Sequence, residues 1–126
     1  MRCSDFELEV MQVFWEKGDL TAPEVHKTIE SKRKVAYNTV KTIIDRLEKK
    51  GGLERVRQYG RTILFHVTIE RDEVTGPMVR GFMDRLFHGD PKKLMSHLFQ
   101  EESLSDEEVR YLEELIEARK SKKEGL

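Results

Sequence analysis

The sequence predicts a mainly α protein with one small β-hairpin: an N-terminal winged helix-turn-helix domain over residues 1–70, then a helical dimerisation region over residues 71–126. Three observations carry this expectation. Three amphipathic stripes, marked off by capping residues and glycines, come first. A segment with strand periodicity follows, divided by a glycine turn. After Glu70 the apolar residues return to helical spacings and stay there.

Ser4 and Glu7 form a capping box, and Phe6, Val10, Val13 and Phe14 fall on one stripe of a first helix that ends near Gly18. Thr21 as N-cap, Pro23 in the first turn and Glu24 reaching back open a second, short helix running to about Ser31, with Val25 and Ile29 as its apolar contacts. A basic linker, residues 32–34, leads to a third helix from Ala36 to Lys50. Its inner face is Val40, Ile43, Ile44 and Leu47, and Gly51 is a natural left-handed C-cap. Residues 53–58 and 61–69 read as the two strands of a hairpin, the second through the alternation of Ile63, Phe65 and Val67. The turn is placed at Tyr59-Gly60. Tyrosine is a poor residue for positive φ, so a loop longer than two residues is expected.

Three further helices are expected beyond Glu70, marked by Val79, Phe82, Met83, Leu86 and Phe87, by Leu94, Leu98 and Phe99, and by Val109, Leu112, Leu115 and Ile116. Asp90-Pro91 is an N-cap followed by proline, and Ser105 with Glu108 is a third capping box. The charged run 119–124 reads as a tail. No sheet or further helix is available to cover these stripes, and apolar surface of that extent is an aggregation hazard in a monomer. A second copy is the expected cover, which makes Val79, Phe82, Met83, Leu86, Phe87, Leu94, Leu98, Leu112 and Ile116 the expected homodimer interface.

Composition narrows the function. Cys3 is the only cysteine, which excludes an intramolecular disulfide or a cysteine-cluster metal site. The apolar runs fall well short of the ~20 residues that cross a bilayer, so no membrane insertion is expected. The N-terminus lacks the basic and apolar regions of a signal peptide, and a cytoplasmic location follows as the expectation. Histidines 26, 66, 88 and 97 stand in no ligand register, and no nucleophile has a base beside it in sequence. No enzyme activity, no cofactor and no metal is therefore expected.

Net charge is −1, from 23 Lys and Arg against 24 Asp and Glu, which by itself argues against nucleic acid. Segment by segment the charges separate. Residues 26–66 hold eleven Lys or Arg against four acids, a net of +7, whereas residues 97–118 hold eight acids against Arg110, a net of −7. A basic patch is the electrostatic footprint of phosphate binding. Three helices and a hairpin form the arrangement in which the third helix enters the major groove and the wing follows the backbone. With the apolar stripe of the third helix turned inward, Asn38, Lys41, Thr42, Arg46 and Lys49 point outward. Amides and hydroxyls read base edges and cations neutralise phosphates. Asn38, Lys41 and Thr42 are thus the expected sequence readers, with Arg46, Lys49, Tyr59 and Arg61 on the backbone of double-stranded DNA. Asp45, among them, would repel phosphate, though it can pair with Lys41 or Lys49 one turn away.

The third helix, Asn38-Thr39-Val40-Lys41-Thr42-Ile43-Ile44-Asp45-Arg46-Leu47-Glu48-Lys49-Lys50-Gly51, resembles the signature of the BlaI/MecI/CopY penicillinase-type repressors. Glu9-Val10-Met11 with Val13 and Trp15 resembles their opening helix, and Leu104-Ser105-Asp106-Glu107-Glu108 with Leu112, Leu115 and Ile116 their closing one. The resemblance implies a bacterial repressor that dimerises through its C-terminal helices on an inverted-repeat operator. It makes Thr39, Lys41, Thr42 and Arg46 recognition-helix positions, which adds Thr39 to the expected sequence readers, and Arg61 part of a basic wing. It also implies a sensor protease upstream, because β-lactam-sensing members are cleaved at an Asn-Phe bond before the last helix. The corresponding place here reads His97-Leu98, a departure from that cleavage pair, and the C-terminal cysteine motif of the copper-sensing branch is absent. Two other readings fit the residues: a winged-helix interaction module docking an acidic protein, and a small-molecule-sensing regulator of another group with a cavity in its helical half.

Overall fold

Both N-terminal capping boxes form. In the computed structural model, which describes residues 1–100 and 103–124, the Glu7 N–H donates to Ser4 Oγ at 3.2 Å and the Ser4 N–H to Glu7 Oε1 at 2.9 Å. They open α1 (Asp5–Lys17). Thr21 and Glu24 reproduce the same reciprocal pair at the start of α2 (Ala22–Glu30). Between them lies a strand that the sequence reading lacks, β1 (Leu20–Thr21), too short to show any periodicity. The third helix, α3 (Tyr37–Lys50), has no side-chain cap at Ala36 and ends on Gly51 at φ 85°, the left-handed C-cap expected of that glycine.

Strands β2 (Leu53–Tyr59) and β3 (Thr62–Val67) form the wing, and β3 pairs on its other edge with β1, giving an antiparallel order β1-β3-β2. Tyr59 stands opposite Thr62, so the loop is only the two residues Gly60-Arg61. The expectation of a Tyr59-Gly60 turn with a longer loop is corrected by one residue: Tyr59 keeps a strand conformation, and Gly60 alone takes the positive φ, 61°. A bulge lies between Arg55 and Arg57, where β2 slips register against β3.

One core joins these elements. Val10, Met11 and Phe14 of α1, Val25 and Ile29 of α2, and Val40, Ile44 and Leu47 of α3 are buried against Leu53 and Phe65 of the sheet. Each such side chain contributes roughly 1.5–3 kcal/mol by leaving water. The stripe inferred for α3 is therefore its buried face. Trp15 donates its indole N–H to the Ile69 carbonyl at 2.9 Å, and the Arg71 guanidinium lies 5.6 Å over its ring. The next helix, α4 (Arg71–Phe87), thereby starts against α1, and its Val74 is 1 % exposed.

The chain divides into two compact units, residues 1–79 and 80–126. Within α4, Pro77 offers no N–H to the Glu73 carbonyl and interrupts the helical hydrogen-bond ladder just before that division. In the second unit α4 ends in a turn with two left-handed residues, His88 and Gly89. Asp90 then caps α5 (Pro91–Leu98) by accepting the Lys92 N–H at 3.0 Å. Phe87 packs edge-on to Phe82 at 5.8 Å between centroids and against His97 at 5.7 Å. The last helix, α6 (Asp106–Glu124), is opened by the Ser105–Glu108 box. Residues 119–124 belong to it rather than forming a tail, because lysines in a last helical turn complement the negative end of the helix dipole. Among the described residues no helix is long and apolar enough to cross a membrane.

Candidate nucleic-acid interface

Burial of Val40, Ile43, Ile44 and Leu47 fixes the rotation of α3 and leaves Asn38, Thr39, Lys41, Thr42, Arg46 and Lys49 all exposed on its other side. Thr42 donates its hydroxyl proton to the Asn38 carbonyl at 2.8 Å, which leaves the lone pairs of its oxygen to accept a further hydrogen bond. At the wing tip Tyr59 is 57 % exposed and Arg61 lies beside it in the loop. Arg57 donates to the Tyr59 hydroxyl at 3.0 Å and its guanidinium stands 5.9 Å from the ring centroid. Sequence reasoning counted Arg57 in the charge and missed it as a wing residue. The signal available was its i+2 spacing from Tyr59, which puts both on one face of a strand. A shallow groove of about 190 Å³ runs between the start of α2, α3 and the wing, with Lys41 and Arg61 in its lining and an apolar floor of Ile44, Ile63 and Phe65.

The basic residues around this face divide into two sets. Arg33 donates to Glu9 at 2.7 and 3.3 Å and stacks 4.7 Å over Phe6, Lys50 reaches Glu7, and Arg55 makes a two-pronged contact with Glu48 at 2.7 and 3.3 Å. Those three brace the protein. The other eight, Lys27, Lys32, Lys34, Lys41, Arg46, Lys49, Arg57 and Arg61, make no ion pair among the described residues. The pairing open to Asp45 does not form with Lys41 or Lys49. Its nearest electrostatic effect is on Arg55, whose guanidinium is raised above its ordinary pKa first by the Glu48 hydrogen bond and charge, then weakly by Asp45.

Two polar contacts hold α3 at its ends. His26 Nε2 lies 2.8 Å from the Val35 carbonyl oxygen and 2.9 Å from Glu30 Oε2; both are acceptors, so this nitrogen carries a proton and ties down the segment entering α3. At the far end Lys50 Nζ approaches both oxygens of Glu7 at 2.8 Å, with hydrogen-bonding geometry only toward Oε1, while Oε2 is held by charge alone. Glu7 is 3 % exposed. Burial pushes its carboxyl up, but hydrogen bonds from Lys50 and Ser4, with the Lys50 charge, outweigh this and hold it below its ordinary value.

In the second unit Phe82, Leu86, Leu98 and Ile116 are exposed, as is Val79 at the end of the first, whereas Met83, Phe87, Leu94 and Leu112 are half-buried. Among the described residues no group of His, Cys, Asp or Glu is placed to hold a metal ion.

Comparison with known proteins agrees with this geometry. A family model described as penicillinase repressor matches residues 3–118. The penicillinase repressor of Bacillus licheniformis is 28 % identical over 120 residues, covering 95 % of this chain and 93 % of its own. The methicillin resistance regulatory protein MecI of Mammaliicoccus sciuri is 25 % identical over 113 residues, covering 90 % and 91 %. Among solved structures, the DNA-binding domain of the repressor BlaI superposes with a TM-score of 0.51 at 32 % identity, over 56 % of this chain and 85 % of that one. The hsRosR-S4 protein, 13 % identical with a TM-score of 0.57 over 94 % and 90 % of the two chains, shares the fold alone. These relatives are regulators and not enzymes. The chain belongs to the penicillinase repressor family of DNA-binding transcriptional repressors.

Proposed function

We propose that this repressor binds an inverted-repeat operator as a homodimer. On each half-site the outer face of α3 lies in the major groove and the wing follows the phosphates. Asn38, Thr39, Lys41 and Thr42 read base edges in this arrangement, while Arg46, Lys49, Tyr59 and Arg61 contact the backbone. The observation that carries the reading is the division of the cations. The eight that no carboxylate among the described residues neutralises include every basic residue on the outer face of α3 and at the wing tip. A face built to dock an acidic protein would share the charge, but not the row of amide and hydroxyl groups at positions 38, 39 and 42. Dimerisation supplies the two-fold symmetry, because half-sites one DNA turn apart, roughly 34 Å, need two recognition helices at that spacing. Exposure of Phe82, Leu86, Leu98 and Ile116 supports a second copy as their cover.

A gel shift on the DNA upstream of the protein's own gene, titrated with salt, tests this. A steep fall of affinity with salt is expected, and substitution of Lys41 and Thr42 by alanine costs roughly 1–3 kcal/mol per lost base contact. Unaltered affinity in that double variant would falsify the assignment of α3. A monomer at micromolar concentration in the ultracentrifuge overturns the dimer. A sensor protease, where one acts on this chain, meets His97-Leu98 in the exposed last turn of α5. An enzyme selective for Asn-Phe is expected to leave the chain whole on a denaturing gel.

A further inference from the structure

Three of the basic residues between positions 26 and 66 are neutralised by the protein's own carboxylates, and one of these pairs differs from the other two in where it lies. Arg33 and Lys50 tie the ends of the recognition region back to α1. Arg55 instead joins the two parts of the proposed DNA-binding face to each other: Glu48 belongs to the last turns of α3, and Arg55 sits at the foot of the wing just ahead of the bulge in β2. Its Nε donates to Glu48 Oε2 at 2.7 Å and its Nη2 to Oε1 at 3.3 Å, the forked contact that a guanidinium makes and an ammonium does not.

The wing needs such a brace. β1 pairs only with Phe65 and Leu64 of β3, so from Ile63 outward the wing is a two-stranded ribbon with no third strand. Two-stranded ribbons twist more freely than wider sheets, and a bulge at the base adds a bend. The direction in which Tyr59 and Arg61 point is therefore set at the foot of the ribbon. Glu48 is the α3 carboxylate that Arg55 bonds there, with Asp45 acting on the guanidinium only through its charge, and Glu48 is itself half-buried.

We propose that Arg55 is a positioning residue of the DNA-binding face: with Glu48 it fixes the angle between wing and recognition helix, and it does not neutralise a phosphate. This rests on the reading that α3 and the wing lie on DNA. It separates Arg55 from Arg57 and Arg61, which the count of basic residues between positions 26 and 66 treats alike.

The test uses the full chain and the duplex that the wild-type protein selects from a random pool, with affinity measured by fluorescence anisotropy between about 50 and 200 mM salt. Glu48→Gln is the decisive variant, because it makes the protein one charge more positive. A phosphate-contact role for Arg55 predicts tighter binding, since the guanidinium is released. Positioning predicts binding weaker by about three- to tenfold, with Arg55→Gln equally weak and the double variant no weaker than either. Arg55→Lys keeps the charge, loses the fork, and is expected to behave like Arg55→Gln. In all of them the slope of log affinity against log salt stays at the wild-type value. Tighter binding by Glu48→Gln, rescue by Arg55→Lys, or a slope reduced by about 0.9 in Arg55→Gln overturns the inference. Lys49→Ala and Arg61→Ala are the companion variants, each expected to lower the slope by about that amount. If neither does, the reading of the whole face fails and this inference with it. If they do and Arg55→Gln does so as well, the inference alone fails.

Discussion

Among single residues, Glu7 carries the largest electrostatic consequence. Its carboxylate is buried and Lys50 is its counter-ion, so removing the lysine leaves a buried charge without a partner, whereas removing the carboxylate leaves a lysine that can turn to water. Lys50→Ala is therefore expected to cost about 1–3 kcal/mol in urea denaturation, and Glu7→Gln less. Because the folded-state pKa of Glu7 lies below the unfolded value, its contribution is present above the ordinary carboxylate pKa of 4.5 and is lost as pH falls through the folded value. Glu7→Gln should accordingly flatten the acid limb of stability against pH. His66 has the opposite sign. Its Nδ1 lies 2.6 Å from Asp19 Oδ1, and that hydrogen bond, with the Asp19 charge, raises its pKa above 6.5. The pair contributes below the unfolded value and is lost as pH rises through the folded one. In an NMR titration Asp19→Asn is expected to lower the His66 midpoint.

At the scale of elements, the loop of the wing shows what a local pattern can and cannot specify. Gly60 at φ 61° is the one wing residue in the left-handed region, and alanine there, though it would meet no neighbour, is expected to cost about 1 kcal/mol by thermal melting and to turn Arg61. The first three helices were legible because their start signals are consecutive residues: Ser4 with Glu7, Thr21 with Glu24, and Gly51 at the third stop. The strand β1 was illegible, since two residues have no period and Leu20 pairs with Phe65 far along the chain. The hairpin was legible and its turn displaced by one, because a sequence marks the glycine but not which side of it each strand stops. Exposure of Asn38, Lys41, Thr42, Arg46 and Lys49 followed directly from helical geometry, whereas Thr39 entered through the family resemblance. The ion pairs did not: Arg33–Glu9 and Lys50–Glu7 join residues distant in sequence, and Asp45 was given neighbours on its own helix that it does not use.

For the whole molecule, near-neutrality is a balance between a basic stretch, residues 26–66 with a net of +7, and an acidic one, residues 97–118 with a net of −7. In the proposed dimer the second copy covers apolar side chains such as Leu86, 61 % exposed, and Ile116, 52 % exposed. Leu86→Asp with Ile116→Asp is expected to give a folded monomer by ultracentrifugation, with operator affinity falling toward that of one half-site.

The contacts of Trp15 decide where the molecule can be cut. Its indole bonds to Ile69, its face receives Arg71, and Val74 is buried just beyond, so the opening turns of α4 complete the wall of the first unit. A fragment ending at residue 70 would retain every residue of the helix-turn-helix and wing yet leave that wall open. One ending at residue 79 closes it. The longer fragment is expected to melt several degrees higher, roughly in proportion to the apolar burial of Val74. The practical edge of the first unit therefore falls inside a helix, where a linker would be sought in vain.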